Sequence, residues 1–185
     1  YKLEAFPRTV QLRNNTAVEF RPMVPGDKDK LLEFFLQVPE DDRYFLKDDV
    51  TSPKVIEGWA SHLDYDRALP VLAWSDGSVV GDAVLVRSRT GARAHNGEVR
   101  VVVHPDWRNR GLGSALIRQL CDIAADAELD KVIMEAVADR EVEAITAAER
   151  LGFLRSAVLP EYYSDQRGRK HDLVVMVLPL GKWYE

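Results

Sequence analysis

The sequence predicts an α+β (mixed α/β) fold: a central, mostly antiparallel, twisted sheet flanked by about four helices. Three observations lead there. Turn signals at Asn14-Asn15 and Asp76-Gly77 sit between alternating or β-rich segments, as in hairpins. A run of β-branched residues, Val99 to Val103, reads as a central strand. Segments of helical period lie between the strand segments rather than in a separate half of the chain.

Taken in order, residues 8–12 and 17–22 alternate apolar and polar and form the first hairpin, with residues 1–16 an N-terminal extension or first strand. Pro25-Gly26-Asp27 opens a helix carrying Leu31, Leu32, Phe34 and Phe35, with Asp27 as its expected N-cap. Residues 39–52 are acidic and read as irregular; Asp41, Asp42, Asp48 and Asp49 are expected in a solvated loop, or as a lure for a cationic acceptor. A short helix follows Pro53 through Ile56 and Trp59, and strands are expected at Leu69–Trp74 and Ser78–Arg87. The central strand runs from about Gly97 to Val103 and ends at His104-Pro105, because proline cannot donate to a ladder. A helix from Gly113 places Leu116, Ile117, Leu120, Ile123, Ala124 and Ala127 on one face. Lys131–Val137 is a strand, about Arg140–Leu151 a helix with Gly152 as C-cap, and the last strands lie near Phe153–Leu159 and His171–Leu180. The 185 residues fit one domain, 1–185, with a sizeable core.

Composition excludes several function classes. With 46% hydrophobic and 30% charged residues the chain is globular rather than disordered. A net charge of −5 gives no global basic face for nucleic acid. No apolar run is long enough to span a membrane, and Tyr1 to Thr9 lack a signal-peptide pattern. The lone Cys121, in a helical pattern, reads as a buried small hydrophobe in a reducing, cytoplasmic setting. His62, His95, His104 and His171 lack metal-ligand spacing, so no metal is expected.

The segment Arg108-Asn109-Arg110-Gly111-Leu112-Gly113, followed by Ser114, carries the chemistry. It joins a strand to a helix N-terminus, where unpaired N–H groups and a partial positive charge attract anions. Gly111 and Gly113 let the backbone approach a phosphate, and Arg108, Arg110 and the Ser114 hydroxyl add charge and a donor. A P-loop would need Gly-Lys-Ser/Thr, and a dinucleotide fold a third glycine where Leu116 stands. The pattern suits a diphosphate of another kind.

At these residues the chain resembles the GNAT superfamily of N-acyltransferases, which use acetyl-CoA or related thioesters. The signature Arg/Gln-x-x-Gly-x-Gly/Ala is met by Arg108, Gly111 and Gly113, the preceding Val-x-Pro-x-x-Arg by Val103 to Arg108, and the helix ending in Gly-Phe by Glu149 to Phe153. Residues 12–22 and 39–45 further resemble the acetyltransferase domain of Pat-type bacterial protein lysine acetyltransferases. The resemblance implies a splayed central strand pair. It also implies that Val101, Val102 and Val103 line the pantetheine arm, with the backbone of Val101 and Val103 pairing to it. The amides of Asn109 through Ser114, Leu112 included, would hold the pyrophosphate. The cosubstrate is then acetyl-CoA or another short acyl-CoA, and the acceptor an amine, on a protein lysine or a small molecule, with a homodimer left open.

Amide formation needs the amine deprotonated. A carboxylate in a partly dry cleft has its pKa raised and serves. Glu98 begins the central strand, and in Pat-type relatives a Glu at this place is the base. The tyrosine that many family members use to protonate the thiolate is replaced here by Ala148, and a common asparagine by Glu141. Tyr162 and Tyr163 are the candidates to substitute. The missing tyrosine also keeps open a rival reading, a non-catalytic acyl-CoA sensor.

Overall fold

Residues 1–181 are described by the computed structural model. Eight strands form one sheet in the order β1-β2-β3-β4-β5-β6-β8-β7. β1 (Arg8–Gln11) and β2 (Ala17–Pro22) form the first hairpin, with Asn15 left-handed (φ 56°) in its turn. β3 (Ala68–Ser75) and β4 (Ser78–Arg87) pair across Asp76-Gly77, both at positive φ. β5 (Asn96–Val103) pairs antiparallel with β4, and β6 (Lys131–Val137) antiparallel with β8 (Lys170–Pro179). β7 (Leu154–Ser164) takes the edge beside β8. It runs five residues past its expected end, and two register shifts against β8 interrupt its ladder.

Among the described residues only β5 and β6 are parallel, joined over the sheet by α4 (Leu112–Asp126). Their pairing is brief: Asn96 with Lys131, Gly97 with Val132, Glu98 with Ile133. Beyond Glu98 the two strands part, as the resemblance implied. The mostly antiparallel sheet with a splayed pair is therefore present.

Among the described residues the α-helices number five, against the expected four or so. α1 (Lys28–Gln37), α3 (Pro53–Ser61), α4 and α5 (Val142–Arg150) match the reading, and α2 (Glu40–Arg43) is a single turn inside the segment expected to be irregular. Pro39 supplies its extended N-cap and Arg43 meets its C-terminal end. Asp27 does occupy the N-cap of α1, but its side chain makes no cap. Its carboxylate instead takes both guanidinium nitrogens of Arg21 at 2.7 and 2.8 Å, and the Val24 N–H at 2.9 Å. A bidentate charged pair outcompetes a neutral amide.

Both faces of the sheet are covered. α4 and α5 pack Leu116, Ile117, Leu120, Ile145 and Ala148 against Val71, Ala83, Leu85, Val99 and Met134. α1 and α3 bring Leu31, Phe34, Phe35 and Ile56 onto Leu72 and Val79 of the other face, where Trp59, Trp74 and Val102 join them. Cys121 is buried in the first cluster, and burial pushes its thiol up to about 12, so it is inert at neutral pH.

Candidate active site

The strand alternation decides which groups line the fork between β5 and β6. Val99, Val101 and Val103 pack toward α4, so Glu98, Arg100 and Val102 face the α1–α3 side. Backbone amides alternate as well. The His104 N–H donates to Val80 O on β4 at 2.9 Å, so the N–H of Val102 also points to β4, while those of Val101 and Val103 point into the gap. Of the three valines, Val101 and Val103 thus present a free backbone edge there. Val102 spends its backbone on β4 and its side chain on the opposite core.

The loop sits at the end of the same strand. After the turn Pro105–Trp107, Asn109 (φ 61°) and Gly111 (φ 84°) both adopt the left-handed region. Asparagine tolerates that conformation, and glycine has no Cβ to resist it. Left-handed residues placed this way make successive N–H groups converge. Gly111 caps α4, and the first amide to bond back into the helix is that of Ala115, to Gly111 O at 3.0 Å. The amides of Leu112, Gly113 and Ser114 consequently have no partner within the helix, at the positive end of a 15-residue dipole. The Leu112 side chain is buried in the core and anchors this end.

Cations ring the loop. Arg110 stacks on Trp107, its guanidinium 4.8 Å from the ring centre. Arg108 donates to Asp42 of α2 at 2.8 Å, and Arg140 to the same carboxylate at 3.1 Å. Asp42 is thus engaged with two arginines rather than solvated as expected. Arg13, from the β1–β2 turn, was missed: its N–H donates to Arg110 O at 3.3 Å, and its Nε lies 3.4 Å from where a Cβ on Gly111 would be. The Asn109 amide, in the orientation that satisfies both groups, donates to Glu143 at 3.0 Å.

Glu98 stands at the last paired residue before the fork. Its carboxylate accepts from Lys47 Nζ at 2.8 Å and Arg100 Nε at 3.0 Å. Burial alone would push its pKa up, but the hydrogen bonds from Arg100 and Lys47 outweigh burial and hold it below the usual glutamate value. This corrects the expectation of a raised carboxylate. Lys47 also reaches Glu135 of β6 at 3.3 Å, so one ammonium bridges the two strands where they part.

Tyr162 and Tyr163 are not equivalent. Tyr162 is exposed, touching Tyr163 edge-on. Tyr163 is half-buried against Phe45; burial, then the charges of Glu135 and Glu141, push its phenol up to about 12. A proton held there does not pass readily to a thiolate whose conjugate acid lies near ~8.5; the hydroxyl suits hydrogen-bond donation instead. Ala148, where the family's tyrosine was sought, is fully buried on the core-facing side of α5. The Glu141 carboxylate caps the end of β6, accepting the Val137 N–H at 2.6 Å.

Asp82 carried no signal in the sequence, and His171 only its place at the start of the last strand and its lack of metal-ligand spacing. His171 places Nδ1 2.8 Å from Asp139 and Nε2 2.9 Å from Asp165, joining β8 to two loops. Both partners are carboxylates, which accept, and these hydrogen bonds from the ring to Asp165 and Asp139 raise the His171 pKa. Asp82 of β4 is buried opposite Leu72 and Val102 with one oxygen unpartnered among the described residues, and burial pushes its pKa up to about 7. Among the described residues no cluster has metal-ligand geometry, and no helix is long and apolar enough to cross a membrane.

Residues 32–153 match the family described as Acetyltransferase (GNAT) family. The chain is 32% identical over 81 residues to the ribosomal protein bS18-alanine N-acetyltransferase of Escherichia coli, covering 44% of this chain and 53% of that protein. It is 38% identical over 80 residues to the glucosamine 6-phosphate N-acetyltransferase of Trypanosoma brucei brucei, covering 42% and 52%. The chain therefore spans about half the length of these curated relatives. Among solved structures, yncA of Salmonella typhimurium, an acetyltransferase with its cofactor acetyl-CoA, shares the fold with a TM-score of 0.76 at 20% identity, covering 92% of this chain and 98% of that one.

Proposed function

Because the chain belongs to the GNAT acetyltransferase family, we propose that it is one acyl-CoA-dependent N-acyltransferase domain, moving an acetyl or short acyl group to a primary amine by direct attack. The observation that carries this reading is the fork: β5 and β6 part after Glu98, and a helix N-terminus with free amides stands at the far end of the opened edge. Ligands in parallel α/β units bind outside the carboxyl ends of the strands, and this is such a place.

In this reading the amides of Asn109 through Ser114, with Arg13, Arg108 and Arg110 around them, hold the pyrophosphate. The pantetheine arm pairs with the free edge of Val101 and Val103. The Val101 N–H then lies where the carbonyl oxygen gains negative charge. Glu98 faces the acceptor side. Paired with Lys47 and Arg100 it is too weak a base for a lysine ammonium, whose pKa is near ~10.4. An incoming amine that displaces Lys47 removes one of the two hydrogen bonds that hold Glu98 down and so shifts it back towards a stronger base, with the Arg100 bond remaining. Glu98, or a water it orders, then takes the proton, nitrogen attacks the thioester carbon, and the departing thiolate accepts a hydrogen bond from the Tyr163 hydroxyl.

The relatives' names point to an N-terminal alanine in one case and an amino sugar phosphate in the other. For this chain the acidic fork of Glu98, Glu135 and Glu141 favours a cationic acceptor, and the Pat-like segments favour a protein lysine in the cytoplasm. The sensor reading is supported by Ala148 standing in place of the usual tyrosine. A panel of lysine peptides and small amines, each with acetyl-CoA and a thiol reagent, discriminates. Thiol release with at least one amine is the expected result; tight coenzyme A binding without release from any acceptor would establish the sensor instead.

A further inference from the structure

The segment between α1 and α3 lies across the fork, and three anchors fix it there. Asp42 bonds Arg108 and Arg140. The Phe45 ring sits 5.7 Å from both Tyr163 and His171, with the Arg140 guanidinium 4.7 Å from its centre. Leu46 packs on the α1–α3 core. Lys47 follows immediately, so its amine is delivered by a tethered backbone to Glu98 at 2.8 Å and Glu135 at 3.3 Å. Those carboxylates stand on neighbouring strands where pairing ends, which is where a thioester at the tip of an arm lying in the gap would be. Lys28 and Lys30, by contrast, pair with Glu57 and Glu33 on the helices.

Resting on the function proposed above, we propose that Lys47 is itself an acceptor, acetylated in cis. The Lys47 ammonium loses a proton to water, since Glu98 paired with Lys47 and Arg100 is held too acidic to take it. Its nitrogen forms a bond to the acetyl carbon, the carbon–sulfur bond breaks, and the coenzyme A thiolate leaves and is protonated. The products are Nε-acetyl-Lys47, coenzyme A and one proton. The neutral amide can no longer form an ion pair with Glu98 and Glu135. The three anchors stay, the bridge from Lys47 to the two strands is lost, and the acceptor side is opened to an external amine.

The test incubates the full chain with acetyl-CoA and no other acceptor, followed by intact mass and peptide mapping. One acetyl group on Lys47 is expected, with a first-order rate constant unchanged on dilution of the protein, none in Lys47→Arg, and a much slower gain in Gly111→Ala. The same preparations are assayed with the best external amine. Acetylation of that amine while Lys47 stays unmodified overturns the inference and leaves the proposed function standing. A rate that scales with protein concentration, or equals that of Gly111→Ala, overturns it too. No transfer to Lys47 or to any amine removes the proposed function and this inference together.

Discussion

Gly111→Ala separates what the loop costs the fold from what it gives the ligand. Gly111 has φ 84° and ψ 8°. A Cβ there would meet Arg13 Nε at 3.4 Å and Arg13 Cγ at 3.5 Å, ordinary contacts with a flexible side chain, so space in the fold is not limiting. The cost is conformational: about 1–2 kcal/mol for an L-residue held left-handed. A chain of this size loses about 2–4 °C of melting temperature per kcal/mol, so a fall of roughly 2–8 °C is expected. In the proposed site the same Cβ would crowd the phosphate and its Arg13 neighbour, and coenzyme A affinity is expected to fall at least ~10-fold, about 1.4 kcal/mol. Gly111→Asn sharpens the comparison, because asparagine tolerates this conformation: its melting temperature drops less while coenzyme A binding is still lost. The assays are thermal unfolding and titration calorimetry with coenzyme A. Unchanged affinity in both variants would refute the loop assignment, whatever the melting temperatures do.

Glu98→Gln is expected to cut turnover by about 10²-fold or more while sparing coenzyme A affinity; equal turnover in steady-state assays removes Glu98 from the mechanism. Asp82 has a raised folded pKa, so its contribution to stability falls as pH rises from the unfolded value, near ~3.9, through about 7. Asp82→Asn should therefore gain on the native chain with rising pH, by about 1–3 kcal/mol in alkaline buffer once the cost of a buried amide is set against it; a difference independent of pH in denaturant titrations would contradict the assignment. His171 also has a raised folded pKa, but its clamp stabilises fully below the unfolded value near ~6.5 and is lost as pH climbs through the higher folded value. Unfolding temperatures of His171→Asn and the native chain should converge above that range, and a gap that persists there would count against the charged clamp.

What the sequence displayed was local. The valine run, His104-Pro105 and the two loop glycines lie within fifteen residues, and each acts on its own neighbours. Hairpins were readable for the same reason, since a turn and its flanks are adjacent. The missed features join distant positions. Lys47 reaches Glu98 across 51 residues, Arg108 reaches Asp42 across 66, and Arg13 comes to Gly111 from the first hairpin. No periodicity encodes such pairings. They explain part of the wrong direction expected for Glu98: Lys47 arrives from 51 residues away, whereas Arg100, two residues on along the same face, was legible from the strand alternation. α2 escaped because four acidic and basic residues after Pro39 carry no apolar stripe. Tyr162 and Tyr163 looked alike because adjacent residues on a strand differ only in the face they take, and the register shifts in β7 obscure which face is which.

The most direct measurement is a crystal structure with coenzyme A bound. The account predicts the pyrophosphate against the amides of Asn109 through Ser114 and the pantetheine arm between β5 and β6, paired with Val101 and Val103. Coenzyme A bound elsewhere, for instance in the concavity of about 280 Å³ bordered by Lys30, Phe34, Gln37, Ser78 and His104, with the fork left empty, would contradict it.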